Sequence, residues 1–81
     1  MNLNVLRRQV DKIDEKIVRL VDERAVITNN IMICKKANKL PIEDKARERV
    51  VMGKIMNITK HPKLAKILWR NIIEYSKRRL I

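Results

Sequence analysis

The sequence predicts an all-helical fold with three helices per chain, the first of them very long, in a single domain over residues 1–81. Residues 3–38 contain neither proline nor glycine, and apolar side chains recur there at alternating steps of three and four. The chain holds only one Gly and two Pro, and residues of high helix propensity dominate it. A helix of this length would measure roughly 54 Å. One chain cannot bury its whole apolar seam, which predicts a homodimer.

Capping and helix-breaking residues define the limits of the helices. Asn2 or Asn4 can cap the first helix, and Pro41 ends it because proline cannot continue a helix. Asp44 suits the N-cap of the second helix, and Pro62 suits the first position of the third. The helices are therefore predicted over Leu3–Asn38, Lys45 to about Asn57, and Pro62 to about Arg79.

Two cations share the apolar seam of the first helix. The seam consists of Leu3, Leu6, Val10, Ile13, Ile17, Leu20, Ile27, Ile31 and Cys34. Arg24 stands where the pattern requires an aliphatic residue, and Lys35 follows three turns later, rotated by only about 20°. An unpaired buried charge costs several kcal/mol. Arg24 therefore pairs with a neighbouring carboxylate or reaches solvent, or else the two cations form an internal anion site.

Arg7 lies seventeen residues before Arg24, about 26 Å along the helix axis. It could reach a small ligand held by Arg24 only from a second subunit, and otherwise it is a solvated surface residue. Ser76 interrupts an apolar row on the third helix. Its hydroxyl either bonds the carbonyl of the preceding turn or contacts a ligand.

The start of the second helix carries three further candidates. Asp44, Arg47 and Glu48 lie on adjoining edges of the first turn. Free backbone N–H groups and the helix dipole favour an anionic or hydroxyl oxygen at this end of a helix. The simpler alternative is a cap with surface charges.

Composition excludes several classes of chemistry. A formal charge of +11 attracts anions, whether nucleic acid, acidic membrane or a small anionic substrate. One His and one Cys cannot build a metal cluster or a nucleophilic triad in one chain, and no Gly-rich phosphate loop occurs. We therefore expect no cofactor and no metal.

The single Cys and the lack of any long apolar run predict a cytoplasmic protein without membrane attachment.

Five stretches of the sequence form a specific pattern when their order and their separations are considered together. They are Leu6–Ile17 (LRRQVDKIDEKI), Asp22–Arg24 (DER), Lys35, Leu40–Glu48 (LPIEDKARE) and Ile72–Ser76 (IIEYS). Through them the chain resembles the all-helical class of chorismate mutases over nearly its whole length. The resemblance implies three-helix chains whose long first helices intertwine in a homodimer. It also implies the rearrangement of chorismate to prephenate, on the branch toward phenylalanine and tyrosine, without nucleophile, metal or cofactor.

The resemblance also implies roles for the cationic residues. Arg24 and Arg7 of the partner subunit would bind the two carboxylates of the substrate, and Lys35 would donate to the ether oxygen. Arg47 and Ser76 would support the carboxylate end of the pocket.

For the ring hydroxyl of the substrate, the resemblance implies Glu48 and the backbone N–H of Asp44 as partners. One position departs from the family pattern. One turn after the serine, many members carry a Gln or Glu that also contacts the ether oxygen, whereas this chain has Leu80. Lys35 would then be the only donor to the ether oxygen, or Arg79 or a water molecule would replace the missing Gln or Glu. A third alternative is that the protein is a weak catalyst.

Three alternative functions stay open at this point. An isochorismate-pyruvate lyase of the same fold would use nearly the same cationic pocket. A basic nucleic-acid-binding module would fit the charge of +11 and the basic residues 77–79, but Arg24 and Lys35 in a packed seam could not reach a phosphate backbone. The third alternative is a dimerisation helix pair without catalysis, which Leu80 leaves open.

Overall fold

The structure is a computed structural model, and it describes residues 1–77 of the chain. Its three α-helices are α1 (Leu3–Ala37), α2 (Lys45–Ile58) and α3 (Pro62–Lys77). The predicted helices and their order are confirmed, and the ends of α1 and α2 differ from the prediction by one residue each. The predicted end of α3 at Arg79 lies outside the described residues. No helix in this part of the chain is long and apolar enough to cross a membrane.

The predicted capping residues begin α1 and α2. The Asn2 side chain accepts hydrogen bonds from the backbone N–H groups of Asn4, at 2.8 Å, and Val5, at 3.4 Å. The Asp44 carboxylate accepts one from the backbone N–H of Arg47 at 2.9 Å. Both caps satisfy N–H groups that have no partner inside their own helix.

A Schellman motif ends α1. The backbone N–H of Leu40 donates to the carbonyl of Lys35 at 2.8 Å, and that of Lys39 donates to the carbonyl of Lys36 at 3.2 Å. Lys39 adopts a left-handed conformation, with φ of 54°, at the position where glycine is usual. The motif turns the chain back toward α1, and Pro41 follows it within the connection to α2.

The single chain is elongated and buries little of itself. Its principal extents are 55 × 24 × 16 Å, and α3 packs against both α1 and α2. Among the described residues only Met32 and Ala65 are fully buried. Every residue from 7 to 23 is exposed, so half of α1 extends beyond the packing with α2 and α3.

Candidate active site

A cavity of about 300 Å³ lies between the second half of α1, the start of α2 and the end of α3. Apolar side chains, Ile27, Ile31, Val51 and Ile73 among them, form part of its wall. The wall also contains nearly every polar residue that the sequence analysis selected within the described part of the chain. These are Arg24, Lys35, Asp44, Arg47, Glu48 and Ser76.

Arg24 is held in the cavity by a hydroxyl group rather than by a carboxylate. Its guanidinium Nη1 donates to Oγ of Ser76 at 3.0 Å, and that hydroxyl donates to the carbonyl of Ile72 at 2.9 Å. Ser76 therefore bonds the preceding turn and contacts a site residue at the same time. Among the described residues no carboxylate lies within ion-pairing distance of Arg24. Within residues 1–77, none of its five N–H donors therefore has an acidic partner.

Lys35 projects into the same cavity from the last turn of α1. Its ammonium donates to the backbone carbonyl of Ile42 at 2.9 Å, and the turn at the end of α1 brings that carbonyl back to it. An ammonium has three donors, so this contact leaves donors for a ligand. No carboxylate within residues 1–77 pairs with Lys35.

The start of α2 contributes Asp44, Arg47 and Glu48 to the wall of the cavity. Besides accepting from Arg47, Asp44 accepts the backbone N–H of Glu48 at its carbonyl, at 3.0 Å. Within residues 1–77 no acceptor contacts the backbone N–H of Asp44. Oxygen Oε2 of Glu48 is buried and has no hydrogen-bond partner. A buried, unpartnered carboxylate oxygen requires an explanation, and a ligand hydroxyl group would supply its missing donor.

Lys77 is a site residue that the sequence analysis missed. Its ammonium lies 3.3 Å from Oε1 of Glu48, 3.5 Å from Glu43 and 3.0 Å from Glu74. The spacing of Glu74 and Lys77 along one helix predicts their contact. No pattern in the sequence indicates the contacts with Glu43 and Glu48, which depend on how α2 and α3 pack. Hydrogen bonding to Glu74 raises the pKa of Lys77 well above its ordinary value, with a further rise from Glu48, against the lowering that burial causes.

Among the described residues, one residue selected from the sequence does not line this cavity. Arg7 is exposed, near the start of α1 and distant from Arg24 along the helix. Leu80 and Arg79 lie outside the described residues. Within residues 1–77, no three or more His, Cys, Asp or Glu side chains come together as a metal site.

The arrangement is suited to a small molecule with several negative groups. Arg24 and Lys35 present N–H donors without an acidic partner, and the cavity is partly enclosed by apolar side chains. Electrostatic attraction is stronger there than in water because the local dielectric constant is lower. The free oxygen of Glu48 adds a single acceptor for a hydroxyl group.

Comparisons with known proteins show what the chain is similar to. The family model described as "Chorismate mutase type II" matches residues 6–80. The chain is 41% identical over 58 residues to the "Bifunctional chorismate mutase/prephenate dehydratase" of Aquifex aeolicus, a match that covers 72% of this chain and 16% of that protein. It is 31% identical over 55 residues to the "Chorismate mutase" of Methanocaldococcus jannaschii, covering 68% of this chain and 56% of that protein. No solved structure matches the chain.

Proposed function

The chain belongs to the chorismate mutase type II family, and from this we propose that it is an isomerase that rearranges chorismate to prephenate. The observation that carries the proposal is the pair of half-buried cations, Arg24 and Lys35, in one cavity without a carboxylate partner within residues 1–77. The comparisons favour this function over a lyase of the same fold or a nucleic-acid-binding module. The chain spans only 16% and 56% of the two relatives, so further activities of theirs are not assigned to it.

The reaction depends more on how the protein positions the substrate than on side chains that react with it. The ether C–O bond of chorismate breaks while a C–C bond forms between the enolpyruvyl arm and the ring, and the electrons move within the substrate. Arg24 and Arg7 of the partner subunit would each hold one carboxylate, through charge-assisted hydrogen bonds of roughly 1.5–3 kcal/mol. Holding both carboxylates keeps the arm over the ring in a near-attack geometry. Arg47 and Ser76 would support the same end of the pocket, Ser76 through its hydrogen bond to Arg24.

Lys35 would provide the stabilisation specific to the transition state. Negative charge grows on the ether oxygen as the C–O bond breaks, and a donor of the ammonium not used by Ile42 is available for it. An interaction that strengthens as the bond breaks lowers the barrier rather than merely tightening binding. Removing one such donor commonly costs about 10²–10³-fold in rate.

At the other side of the pocket, Glu48 and the backbone N–H of Asp44 would hold the ring hydroxyl. Oε2 of Glu48 is a buried acceptor without a partner, and the N–H of Asp44 lies at the start of α2, where the helix dipole favours an oxygen. One group accepts and the other donates, which matches a hydroxyl.

We propose the active form to be an intertwined homodimer. The exposed part of α1 carries large apolar side chains, with Val10 54%, Ile13 55% and Leu20 61% exposed in the single chain. A continuous apolar face of this kind needs a partner, and a second copy of α1 would cover it. The same pairing would bring Arg7 of one subunit to the cavity of the other. A cytoplasmic location, which a protein with a single cysteine fits, is part of the proposal.

The test is the loss of chorismate absorbance with purified protein, alongside Arg24→Ala and Lys35→Ala. We expect turnover by the unaltered protein and its near-complete loss in both variants. Turnover that survives both substitutions would defeat the site assignment. Isochorismate assayed in parallel separates the mutase from a lyase, since pyruvate release would indicate the lyase.

A further inference from the structure

Lys77 connects three separate segments at the edge of the cavity. Its ammonium contacts Glu43 of the connection before α2, Glu48 of the first turn of α2, and Glu74 of its own helix. Its side chain is only 23% exposed, and it lines the cavity. Glu43 and Glu74 are about half exposed, whereas the side chain of Glu48 is 28% exposed. Of the three acids, Glu48 is therefore the one most removed from water.

The two oxygens of Glu48 have different surroundings. Oε1 accepts the hydrogen bond from Lys77 at 3.3 Å, while Oε2 is buried without a partner. A carboxylate with one oxygen bound cannot rotate freely, so its second oxygen keeps a fixed direction. An unpartnered buried acceptor is costly in the empty protein, and it becomes favourable when a donor binds.

We propose that Lys77 is a positioning residue for Glu48: it binds one carboxylate oxygen so that the other is presented to the ring hydroxyl of the substrate. The inference rests on the proposed function, because it needs a substrate that carries a hydroxyl donor. Lys77 itself does not touch the substrate in this arrangement. Glu74, on the same helix, holds the ammonium at 3.0 Å, and Lys77 in turn holds Glu48.

The positive charge of Lys77 has a second effect on the carboxylate of Glu48. A bare carboxylate in this cavity would repel both carboxylates of the substrate, and such repulsion is strong where water is excluded. An ammonium at 3.3 Å from Oε1 offsets that charge and leaves Oε2 able to accept. A lysine is protonated at neutral pH even with its ordinary pKa, so the ammonium carries this charge wherever the enzyme is assayed near pH 7. Lys77 therefore lets the pocket combine an acidic acceptor with a dianionic substrate.

A structural role is the competing explanation, since Lys77 also ties α2 to α3. The two roles differ in how the effects of substitutions combine. If Lys77 only holds α2 against α3, its substitution lowers the stability of the protein regardless of how Glu48 interacts with the substrate. A positioning residue acts only through Glu48, so its effect on catalysis disappears when Glu48 can no longer act as a charged acceptor.

The experiment is a double-mutant cycle of Lys77→Met and Glu48→Gln, with kcat/KM for chorismate and thermal unfolding measured for each protein. We expect Lys77→Met to lower kcat/KM about tenfold or more, as for the loss of one hydrogen bond to a charged group. In the Glu48→Gln background the same change should alter kcat/KM by less than about twofold. Lys77→Arg, which keeps a cationic donor, should recover most of the activity.

Glu43→Gln is the matched control. It removes another partner of the same ammonium, at 3.5 Å, without touching Glu48, and we expect kcat/KM within about twofold of the unaltered protein. If Lys77→Met does not fold, Lys77→Gln takes its place in the same cycle.

The outcomes separate this inference from the proposed function. An unaltered protein that folds but does not turn over chorismate would refute the proposed function. An active protein in which Lys77→Met keeps at least half its kcat/KM would overturn the role of Lys77 alone. So would effects of Lys77→Met and Glu48→Gln that simply add, since Lys77 would then act independently of Glu48.

Discussion

The guanidinium of Arg24 and the hydroxyl of Ser76 are joined at 3.0 Å although 52 positions separate them in the chain. The bond crosses from α1 to α3 at the cavity. Because Ser76 also bonds the carbonyl of Ile72, its oxygen is fixed, and it fixes one nitrogen of Arg24 in turn. The carboxylate-binding end of the proposed site is therefore set by the packing of two helices.

Ser76→Ala should weaken substrate binding more than it slows the chemical step. Without the hydroxyl, Arg24 loses its fixed orientation, and we expect KM to rise about three- to tenfold and stability to fall by about 1 kcal/mol. Steady-state kinetics and chemical denaturation measure the two effects. Asn71→Ala is the control, because Asn71 makes a similar bond to the carbonyl of Ile67 on the same helix but does not contact Arg24. An unchanged KM in Ser76→Ala would contradict the prediction.

Lys35→Met should act mainly on kcat. The change removes the donor to the ether oxygen but keeps an unbranched side chain, so we expect kcat to fall about 10²–10³-fold with a smaller change in KM. Lys36→Met removes the neighbouring cation of α1, which is exposed and does not line the cavity. It should leave kcat within about twofold. An equal fall of kcat in the two variants would mean that catalysis depends on the overall charge of the protein rather than on the position of Lys35.

Arg7→Ala and Lys35→Ala should complement each other when mixed. Each variant alone would have two defective sites. A mixed dimer would have one site with both residues intact and one with neither, so random pairing after joint refolding should restore about a quarter of full activity. Kinetics on mixtures of varied ratio measure this recovery. A mixture no more active than its components would contradict the donation of Arg7 across the interface.

Lys39→Gly should stabilise the protein. Lys39 has a positive φ of 54°, a conformation that costs a residue with a side chain roughly 1 kcal/mol. We expect an increase of about 0.5–1 kcal/mol in the free energy of unfolding, read from urea denaturation at fixed protein concentration. Lys36→Gly, in the last turn of α1 where the backbone is helical, should destabilise the protein instead. A lower stability for Lys39→Gly would show that its side chain makes a contribution larger than this conformational cost.

Leu80→Gln should raise kcat with little change in fold. Residue 80 lies outside the described residues, so the prediction depends on the family pattern, in which a Gln or Glu at this position contacts the ether oxygen. A second donor there would assist Lys35. Turnover and circular dichroism of the variant measure the outcome. A flat or lowered kcat would refute the idea.

Much of the fold could be predicted from local patterns. The spacing of apolar residues predicted α1, and the caps at Asn2 and Asp44 formed as expected because they depend on neighbouring residues only. Arg24 and Lys35 could be selected because a charge in an apolar seam contradicts its surroundings. The periodicity of one helix was therefore enough to select two residues that line the same cavity.

The contacts missed by sequence reasoning depend on how turns and helix packing bring separate elements together. The carbonyl of Ile42 meets Lys35 only because of a turn whose key residue is a lysine rather than the usual glycine. Lys77 meets Glu48 only because α3 lies against α2 at one particular register. Neither contact has a spacing rule that would reveal it in the sequence, since each joins groups on separate elements.

The unbroken length of α1 also limits how this sequence can change. Inserting one residue between Arg7 and Arg24 would turn the N-terminal part of α1 by about 100° relative to its C-terminal part. The apolar seam would then be split into two faces, and Arg7 would point away from the face that holds Arg24. A deletion would do the same in the opposite sense. We therefore expect related sequences to vary in residue type along this stretch while keeping its length constant, and to accept insertions at the connection after α1 instead.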